Sequence, residues 1–301
     1  LIQDDRGQAA QTAGTELPWS RRKLSYGQFM GLTMPTPVSD GTHVWLKAGS
    51  FAACFDLEGN RKWVADTHLA NTDHPMNVPS PVLVEGVLVC EGGGTPYWEQ
   101  NSTHKLAADV LPPSKNPKFR HWIVGLDAAT GKILWDIGPL NAGGYGGPSS
   151  PMPVAIGKGE QRRKFVLTGE GQVIRPADGK LLASYVGARC GTPTPYPIRE
   201  QVLFNHVFSL TLLELKMASA ERVESTKLWS VTSAKVTCGS VHHDGLIYIH
   251  TLEAPGWRTP MINVHDIRTG ACVFRGQLPM EIPADSPDYP CPAVAGKYVF
   301  V

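Results

Sequence analysis

The sequence has no excess of charge of either sign. Its 301 residues include 28 lysines and arginines against 27 aspartates and glutamates, which gives a formal net charge of +1. A surface that binds nucleic acid or an anionic membrane needs a basic excess on one face. The charge balance therefore argues against nucleic acid as a partner.

Long apolar runs and a leader segment are also lacking. No stretch of 18 apolar residues occurs, so we expect no transmembrane segment. The sequence opens on Leu1 without a charged-then-apolar leader, so we expect no signal peptide within it. We interpret the chain as a mature form, a recombinant piece or a fragment.

Cysteine pairs with a diagnostic spacing are absent. The six cysteines form no adjacent pair, no Cys-x-x-Cys and no Cys-x-x-Cys-His haem site. They are Cys54, Cys90, Cys190, Cys238, Cys272 and Cys291. Because most of them lie inside apolar, strand-like runs, we expect buried free thiols, with a single disulfide as the alternative.

What the sequence does contain is a recurring unit of about 42 to 52 residues. Each copy opens on a Pro-Val or similar step and closes on an Asp-x-x-x-Gly turn followed by an aromatic residue. One copy opens at residues 79–82, reaches its turn at Asp127 and Gly131, and ends at Trp135. The repeat predicts stacked copies of one supersecondary unit.

Each unit parses as four short strands, A to D, with tight Gly-containing turns. A single four-stranded meander cannot cover both of its faces, and a radial arrangement solves this by packing each sheet on its neighbours. The sequence therefore predicts an all-β fold, a β-propeller of four-stranded antiparallel blades. The aromatic residue of strand D is expected to fill the wedge between two blades, at Trp63, Trp135, Tyr185, Trp229 and Phe274.

We expect one propeller domain over residues 1–301, with five full blades and a partial sixth. The blades span about 33–63, 77–135, 149–185, 191–229, 238–274 and, in part, 289–301. Residues 1–19 are expected to hold a C strand (1–5) and a D strand (16–19) of a closing or preceding blade. Two arrangements stay open: the two ends complete a six-bladed ring, or the chain belongs to a seven- or eight-bladed one.

The segment 126–135, apolar-Asp-x-x-Thr-Gly-Lys-x-x-Trp, resembles the repeat of the pyrroloquinoline-quinone (PQQ)-like β-propeller family. The resemblance covers roughly residues 33–301 and is greatest to secreted, uncharacterised bacterial members. It implies a periplasmic or extracellular location. Quinoprotein enzymes of this type hold PQQ with an adjacent-cysteine disulfide, a stacked tryptophan and calcium. No two cysteines are neighbours here, so neither PQQ nor calcium is expected.

The long connections indicate where a ligand would bind. They are the B–C and D–A segments 64–78, 92–120, 136–150, 251–260 and 275–289, and a meander places all five on one face. We call it the loop-rich face. Exposed aromatic residues with nearby charge suit a protein or glycan partner, although these loops can instead fold back over the channel. The candidate binding residues are Tyr97, Trp98, Glu99, Tyr145, Trp257 and Arg258.

A metal site is a further expectation on this face. His68, Asp73 and His74, close to Asp66, have side chains that bind zinc or another divalent ion. The competing interpretation is a solvated loop whose polar side chains cap turn amides. The residues expected to ring the channel share no charge; they are Met34, Asn77, Ser149, Thr192, Gly239 and Tyr289.

Three functions remain open. The sequence favours a non-enzymatic, exported binding or scaffold propeller that uses its loop-rich face. The alternatives are a cofactor- or metal-dependent enzyme with its site at the channel mouth, and a subunit of a larger assembly. No nucleophile–base pair is recognisable from spacing, so catalytic residues are not assigned.

Overall fold

A computed structural model of the chain describes residues 35–69, 79–93, 95–102, 120–141, 149–190, 194–233, 235–253, 259–279, 292–296 and 298–300. Its strands form five four-stranded antiparallel sheets and one two-stranded sheet. Each sheet is a blade whose strands follow chain order. The predicted β-propeller with five full blades and a partial sixth is confirmed, and residues 1–19 lie outside the described ranges.

Blades 1 and 2 contain the first eight strands. Blade 1 consists of β1 (Val38–Ser39), β2 (His43–Ala48), β3 (Phe51–Asp56) and β4 (Arg61–Asp66). Blade 2 consists of β5 (Val82–Val84), β6 (Val87–Gly93), β7 (Arg120–Asp127) and β8 (Ile133–Asn141). A short helix, α1 (Pro96–Asn101), lies in the connection between β6 and β7.

The remaining strands form blades 3, 4 and 5 and the two-stranded sheet. Blade 3 consists of β9 (Met152–Ile156), β10 (Arg163–Leu167), β11 (Val173–Ile174) and β12 (Leu181–Ala183), with a 3-10 turn at Gly159–Gln161. Blade 4 consists of β13 (Tyr196–Ile198), β14 (Gln201–His206), β15 (Ser209–Ser219) and β16 (Arg222–Thr232). Blade 5 consists of β17 (Lys235–His243), β18 (Leu246–Glu253), β19 (Thr259–Asp266) and β20 (Cys272–Gln277). The sixth sheet pairs β21 (Ala293–Ala295) with β22 (Tyr298–Phe300).

The first strands of the blades line the axis. Strand β1 contacts β5, β5 contacts β9, β9 contacts β13, β13 contacts β17 and β17 contacts β21. This order places successive blades side by side around a common axis, and other strands of neighbouring blades meet as well, as β12 and β16 do. Among the described residues, no helix is long and apolar enough to cross a membrane.

The turn between the third and fourth strands depends on one aspartate. In blade 2, Asp127 Oδ1 accepts hydrogen bonds from the backbone N–H (2.8 Å) and the hydroxyl (2.9 Å) of Thr130. These bonds hold the pKa of Asp127 below its usual value, with the Thr130 hydroxyl contributing most. Gly131 closes the turn at φ 74°, a conformation that glycine adopts without steric cost.

Tryptophans of the outer strands join successive blades. Trp63 Nε1 donates to the carbonyl of Ala128 at 3.0 Å, and Trp135 Nε1 donates to that of Pro176 at 2.7 Å. Trp229 repeats this contact with Ile267, also at 2.7 Å. The wedge role predicted for these three tryptophans is confirmed.

Each of these indole rings also lies on the turn glycine of the next blade. A Cβ built on that glycine would lie 2.6 to 2.8 Å from the ring; the three glycines are Gly131, Gly179 and Gly270. The glycine is therefore required twice, for its positive φ and for the room that it leaves to the indole.

The wedge prediction is wrong for Tyr185 and Phe274, which are 55% and 56% exposed. Blade 4 has no Asp-x-x-x-Gly turn, since β15 and β16 continue as a long hairpin and leave no glycine for Tyr185 to cover. Arg175 of blade 3 bridges to Glu221 of that hairpin at 3.0 Å instead. Beyond Phe274, the described part of the sixth sheet has only two strands and hence no third-to-fourth-strand turn.

The described cysteines are free thiols. Cys54, Cys90 and Cys190 are buried, as expected, and burial raises the pKa of Cys90 to about 12. Cys272 is exposed on β20, contrary to the expectation of burial. The side chain of Cys238 and the whole of Cys291 lie outside the described residues.

Replacing Trp135 by alanine should destabilise the protein by about 3–5 kcal/mol, because it opens a cavity between blades 2 and 3 and leaves the Pro176 carbonyl without its donor. Chemical denaturation measures the change. Leu134→Ala is the matched control, since Leu134 is the preceding residue of the same strand and is 45% exposed. Equal stability of the two variants would contradict the wedge role.

Candidate functional site

The loop-rich face is built around Trp98 of α1. This side chain is 3% exposed and packs in one apolar cluster with Leu69 and Trp122. Its Nε1 donates to the carbonyl of Thr67 at 3.0 Å. The contact fastens α1 to the segment that follows β4, so two long connections form one unit.

Tyr97 and His68 form an aromatic pair on the outside of that unit. Their ring centroids lie 3.7 Å apart with an interplanar angle of 25°, and Tyr97 is 41% exposed. The backbone N–H of His68 donates to Asp66 Oδ1 at 2.8 Å, and the backbone carbonyl of His68 accepts from Thr95 Oγ1 at 2.7 Å. The pair is therefore held from both connections while it faces solvent.

The predicted binding residues are only partly brought together. Tyr97 is exposed and adjacent to Trp98, but Trp98 is buried and serves to anchor the loop. Glu99 lies in α1, and its side chain is not described. Tyr145, Trp257 and Arg258 lie outside the described residues, so their role stays a prediction.

The predicted metal set is described only at His68. His68 Nδ1 lies 3.6 Å from Asp66 Oδ2, and the imidazole ring is stacked on Tyr97. Asp73 and His74 lie outside the described residues. Within the described ranges, no group of three or more potential metal ligands occurs.

A cavity of about 470 Å³ opens where the inner strands of the five blades begin. Strands A begin on the same face as the long connections, so this cavity is the channel mouth of the loop-rich face. It is lined by Thr36, Pro37, Val38, Ser80, Pro81, Val82, Leu83, Ser150, Pro151, Met152, Pro153, Thr194, Pro195, Tyr196, Gly239 and Ser240.

Hydroxyl side chains join successive blades at this mouth. The backbone N–H of Thr36 donates to Ser80 Oγ at 2.8 Å, and the N–H of Ser80 donates to Ser150 Oγ at 2.9 Å. Thr36 and Ser80 are the middle residues of Pro-x-Pro steps, whose flanking prolines have no N–H. The Pro-x-Pro repeat was the sequence signal for this ring.

Two of the predicted channel residues are described. Gly239 lines the mouth as expected, whereas in blade 3 the lining residue is Ser150 in place of the predicted Ser149. Met34, Asn77, Thr192 and Tyr289 lie outside the described residues.

A layer of buried polar side chains lies in the second strands of the blades, next to the inner strands that line the channel mouth. The sequence analysis did not predict this layer. Its members occupy the same register in the second strands of four blades and are all at most 3% exposed: Lys47, Glu91, Asn205 and His250. In blade 3 this register position is Gly169, and Ser149 Oγ occupies the space of the missing side chain. A polar residue within an otherwise apolar strand was the only available signal.

Ionisable side chains lie close together in and beside this buried layer. Glu91 Oε1 lies 2.9 Å from His121 Nε2, and both side chains are at most 1% exposed. Burial lowers the pKa of Lys47, and the carboxylate of Glu91 acts in the opposite direction. Asn205 Nδ2 donates to Ser240 Oγ of the next blade at 3.1 Å. The Asn205–Ser240 hydrogen bond therefore joins blades 4 and 5 beside the mouth by a polar contact.

Comparison with solved structures identifies the fold. BamB from Moraxella catarrhalis superimposes with a TM-score of 0.50 at 13% identity, over 88% of this chain and 65% of that one. A europium-containing methanol dehydrogenase superimposes with a TM-score of 0.51 at 12% identity, over 86% of this chain and 62% of that one. The chain has their β-propeller fold. The resemblance of its repeat to PQQ-like propellers is thus confirmed at the level of fold.

The similarity to these two structures does not extend beyond the fold. The part matched is less than two thirds of the length of either structure, and identities this low indicate a common fold alone. No protein-family model matches the sequence, and no curated protein does.

Lys47→Met tests the charge of the buried layer. With its folded-state pKa lowered, Lys47 binds fewer protons when folded than when unfolded, in the window from that lowered value up to about 10.4. Its contribution to stability therefore increases as pH rises through this window. The free energy of unfolding of the wild type, minus that of Lys47→Met, should increase from pH 7 to pH 10 in urea titrations. The exposed-lysine variant Lys132→Met is the control, and a difference independent of pH would contradict the assignment.

Proposed function

We propose that this protein is a non-enzymatic β-propeller that binds or scaffolds a protein partner through its loop-rich face, in the periplasm or at the cell surface. The observation that carries this proposal is the Tyr97–His68 pair, an exposed aromatic platform held from two connections. The periplasmic or extracellular location is supported by the resemblance to secreted family members.

A rigid platform lowers the free-energy cost of binding. An aromatic side chain that is already ordered loses little conformational freedom when a partner covers it, so more of its buried area contributes to affinity. Tyrosine is also among the residue types that contribute most at protein interfaces. The buried indole of Trp98 and its hydrogen bond to Thr67 supply this order in the free protein.

A protein partner is favoured over a glycan. One face of the Tyr97 ring is covered by His68, and Trp98 meets it edge-on with centroids 5.0 Å apart. This pairing leaves Tyr97 one free face, so the described platform offers a sugar a single stacking surface. Its hydroxyl and remaining face suit the polar and apolar contacts of a protein interface.

The channel mouth is the site for the alternative, a cofactor-dependent enzyme. Its volume of about 470 Å³ falls within the range of small-molecule sites. The described lining consists of hydroxyl, proline and apolar residues and carries no charged side chain. The carboxylates of PQQ would find no counter-charge there, so these residues do not fit that cofactor.

Tyr97→Ala should weaken binding to a purified partner by roughly 30-fold, which is the effect of losing an interface residue worth about 2 kcal/mol. The partner is first identified as a stoichiometric component of the native protein by mass spectrometry, and binding is then measured by titration calorimetry. Lys132→Ala, an exposed position on the opposite face, is the control and should leave affinity unchanged.

Three outcomes would overturn the proposal. Equal affinity of both variants would exclude the platform as the contact. Binding to a glycan array, abolished by Tyr97→Ala, would replace the protein partner by a sugar. A stoichiometric chromophore, or one acquired on incubation with PQQ and calcium, would support the enzyme.

A further inference from the structure

A groove lies between the outermost strands of blades 3 and 4. The strand β12 is the last in the order of blade 3, β16 is the last in that of blade 4, and the two strands contact each other. The groove has a volume of about 490 Å³ and is lined by residues 182–186 and 222–225, all of them described. This volume falls within the range of small-molecule sites. We call it the seam groove.

The base of the seam groove is apolar and ordered. Leu182 and Val223 line it, are 4% and 5% exposed, and belong to the apolar cluster that blades 3 and 4 share. The two strands are also joined directly, because Ser225 Oγ donates to the backbone carbonyl of Val186 at 2.5 Å. A site whose walls are already fixed loses little conformational freedom when a ligand binds.

The rest of the lining is polar and carries one charge of each sign. Arg222 Nη2 lies 2.7 Å from Glu224 Oε1, and the two side chains are 69% and 53% exposed. Ser184 and Tyr185 add hydroxyl groups to the same lining. The lining residues thus supply hydrogen-bond donors and acceptors together, and their opposite charges favour neither an anion nor a cation.

Tyr185 supplies an aromatic ring to the seam groove. It is 55% exposed, because blade 4 has a long hairpin in place of the turn that would cover it. A tyrosine combines an apolar ring with a hydroxyl group at its edge. The C–H face of a sugar ring and the hydroxyls at its edge match this combination.

We propose that the seam groove binds a neutral saccharide. Each hydroxyl of a sugar both donates and accepts, so neighbouring hydroxyls match a guanidinium donor beside a carboxylate acceptor, as in Arg222 and Glu224. The sugar ring stacks on Tyr185, and the balanced charge of the lining selects an uncharged ligand. The site is distinct from the Tyr97–His68 platform, and it does not require the protein partner proposed there.

Titration of the ¹⁵N-labelled wild-type protein with neutral disaccharides tests the site. The probes are maltose, cellobiose, lactose and N,N′-diacetylchitobiose, and the readout is the set of amide chemical shifts. At least one probe should bind saturably and shift the amides of Ser184, Tyr185 and Ser225 together. Because the ligand is uncharged, the Kd should change by less than about two-fold between about 50 mM and about 500 mM NaCl.

Variants of Tyr185 separate stacking from an effect on folding. Tyr185→Ala should weaken binding of that probe by about ten-fold, whereas Tyr185→Phe keeps the ring and should change the Kd by less than about three-fold. Phe274→Ala is the matched control and should leave the Kd unchanged, since Phe274 is 56% exposed on the outer strand of blade 5.

Three results would overturn the proposal. They are the absence of saturable binding by any of the four probes, equal Kd values for Tyr185→Ala and the wild type, and shifts around Tyr97 that Tyr97→Ala abolishes. The last result would assign the sugar to the loop-rich face. Sugar binding that Tyr97→Ala retains and Tyr185→Ala loses would support the seam groove, whether or not the platform binds a protein.

Discussion

The fold depends on covering the two faces of each small sheet, and the indole ring is the group that does so at three junctions. An indole needs apolar surroundings for its rings and an acceptor for its N–H. The third-to-fourth-strand turn of the next blade supplies both, since its glycine leaves room for the ring and one of its carbonyls accepts the indole N–H. One local turn motif thereby fixes the distance and angle between two sheets that are separated in sequence.

The fold was predictable from sequence because its signals are local. The Asp127 turn, the glycine that closes it and Trp135 lie within nine residues, and each has its own physical requirement. The wedge prediction failed at Tyr185 for a non-local reason. An aromatic residue of the outer strand is covered only if the following blade has the glycine-containing turn, and blade 4 has a long hairpin in its place.

The candidate site was less accessible to sequence reasoning. Nothing in the local sequence shows that Trp98 is buried, because its burial depends on the carbonyl of Thr67 and on Leu69, about 30 residues earlier. Glu91 and Lys47 belong to one buried layer only because equal strand register places them beside the same mouth. The loop-rich face itself was predictable, since connection length and meander topology are both readable from the chain.

The junction of blades 3 and 4 depends more on salt concentration than the three tryptophan junctions do. It is joined by Arg175 and Lys180 to Glu221, side chains that are 28% to 50% exposed. Mobile ions screen such pairs, whereas an indole between two sheets is insensitive to them. Ionic strength therefore weakens the ion pairs of this junction. The apolar side chains that blades 3 and 4 bury together, such as Phe165 and Phe204, continue to hold the two blades in contact.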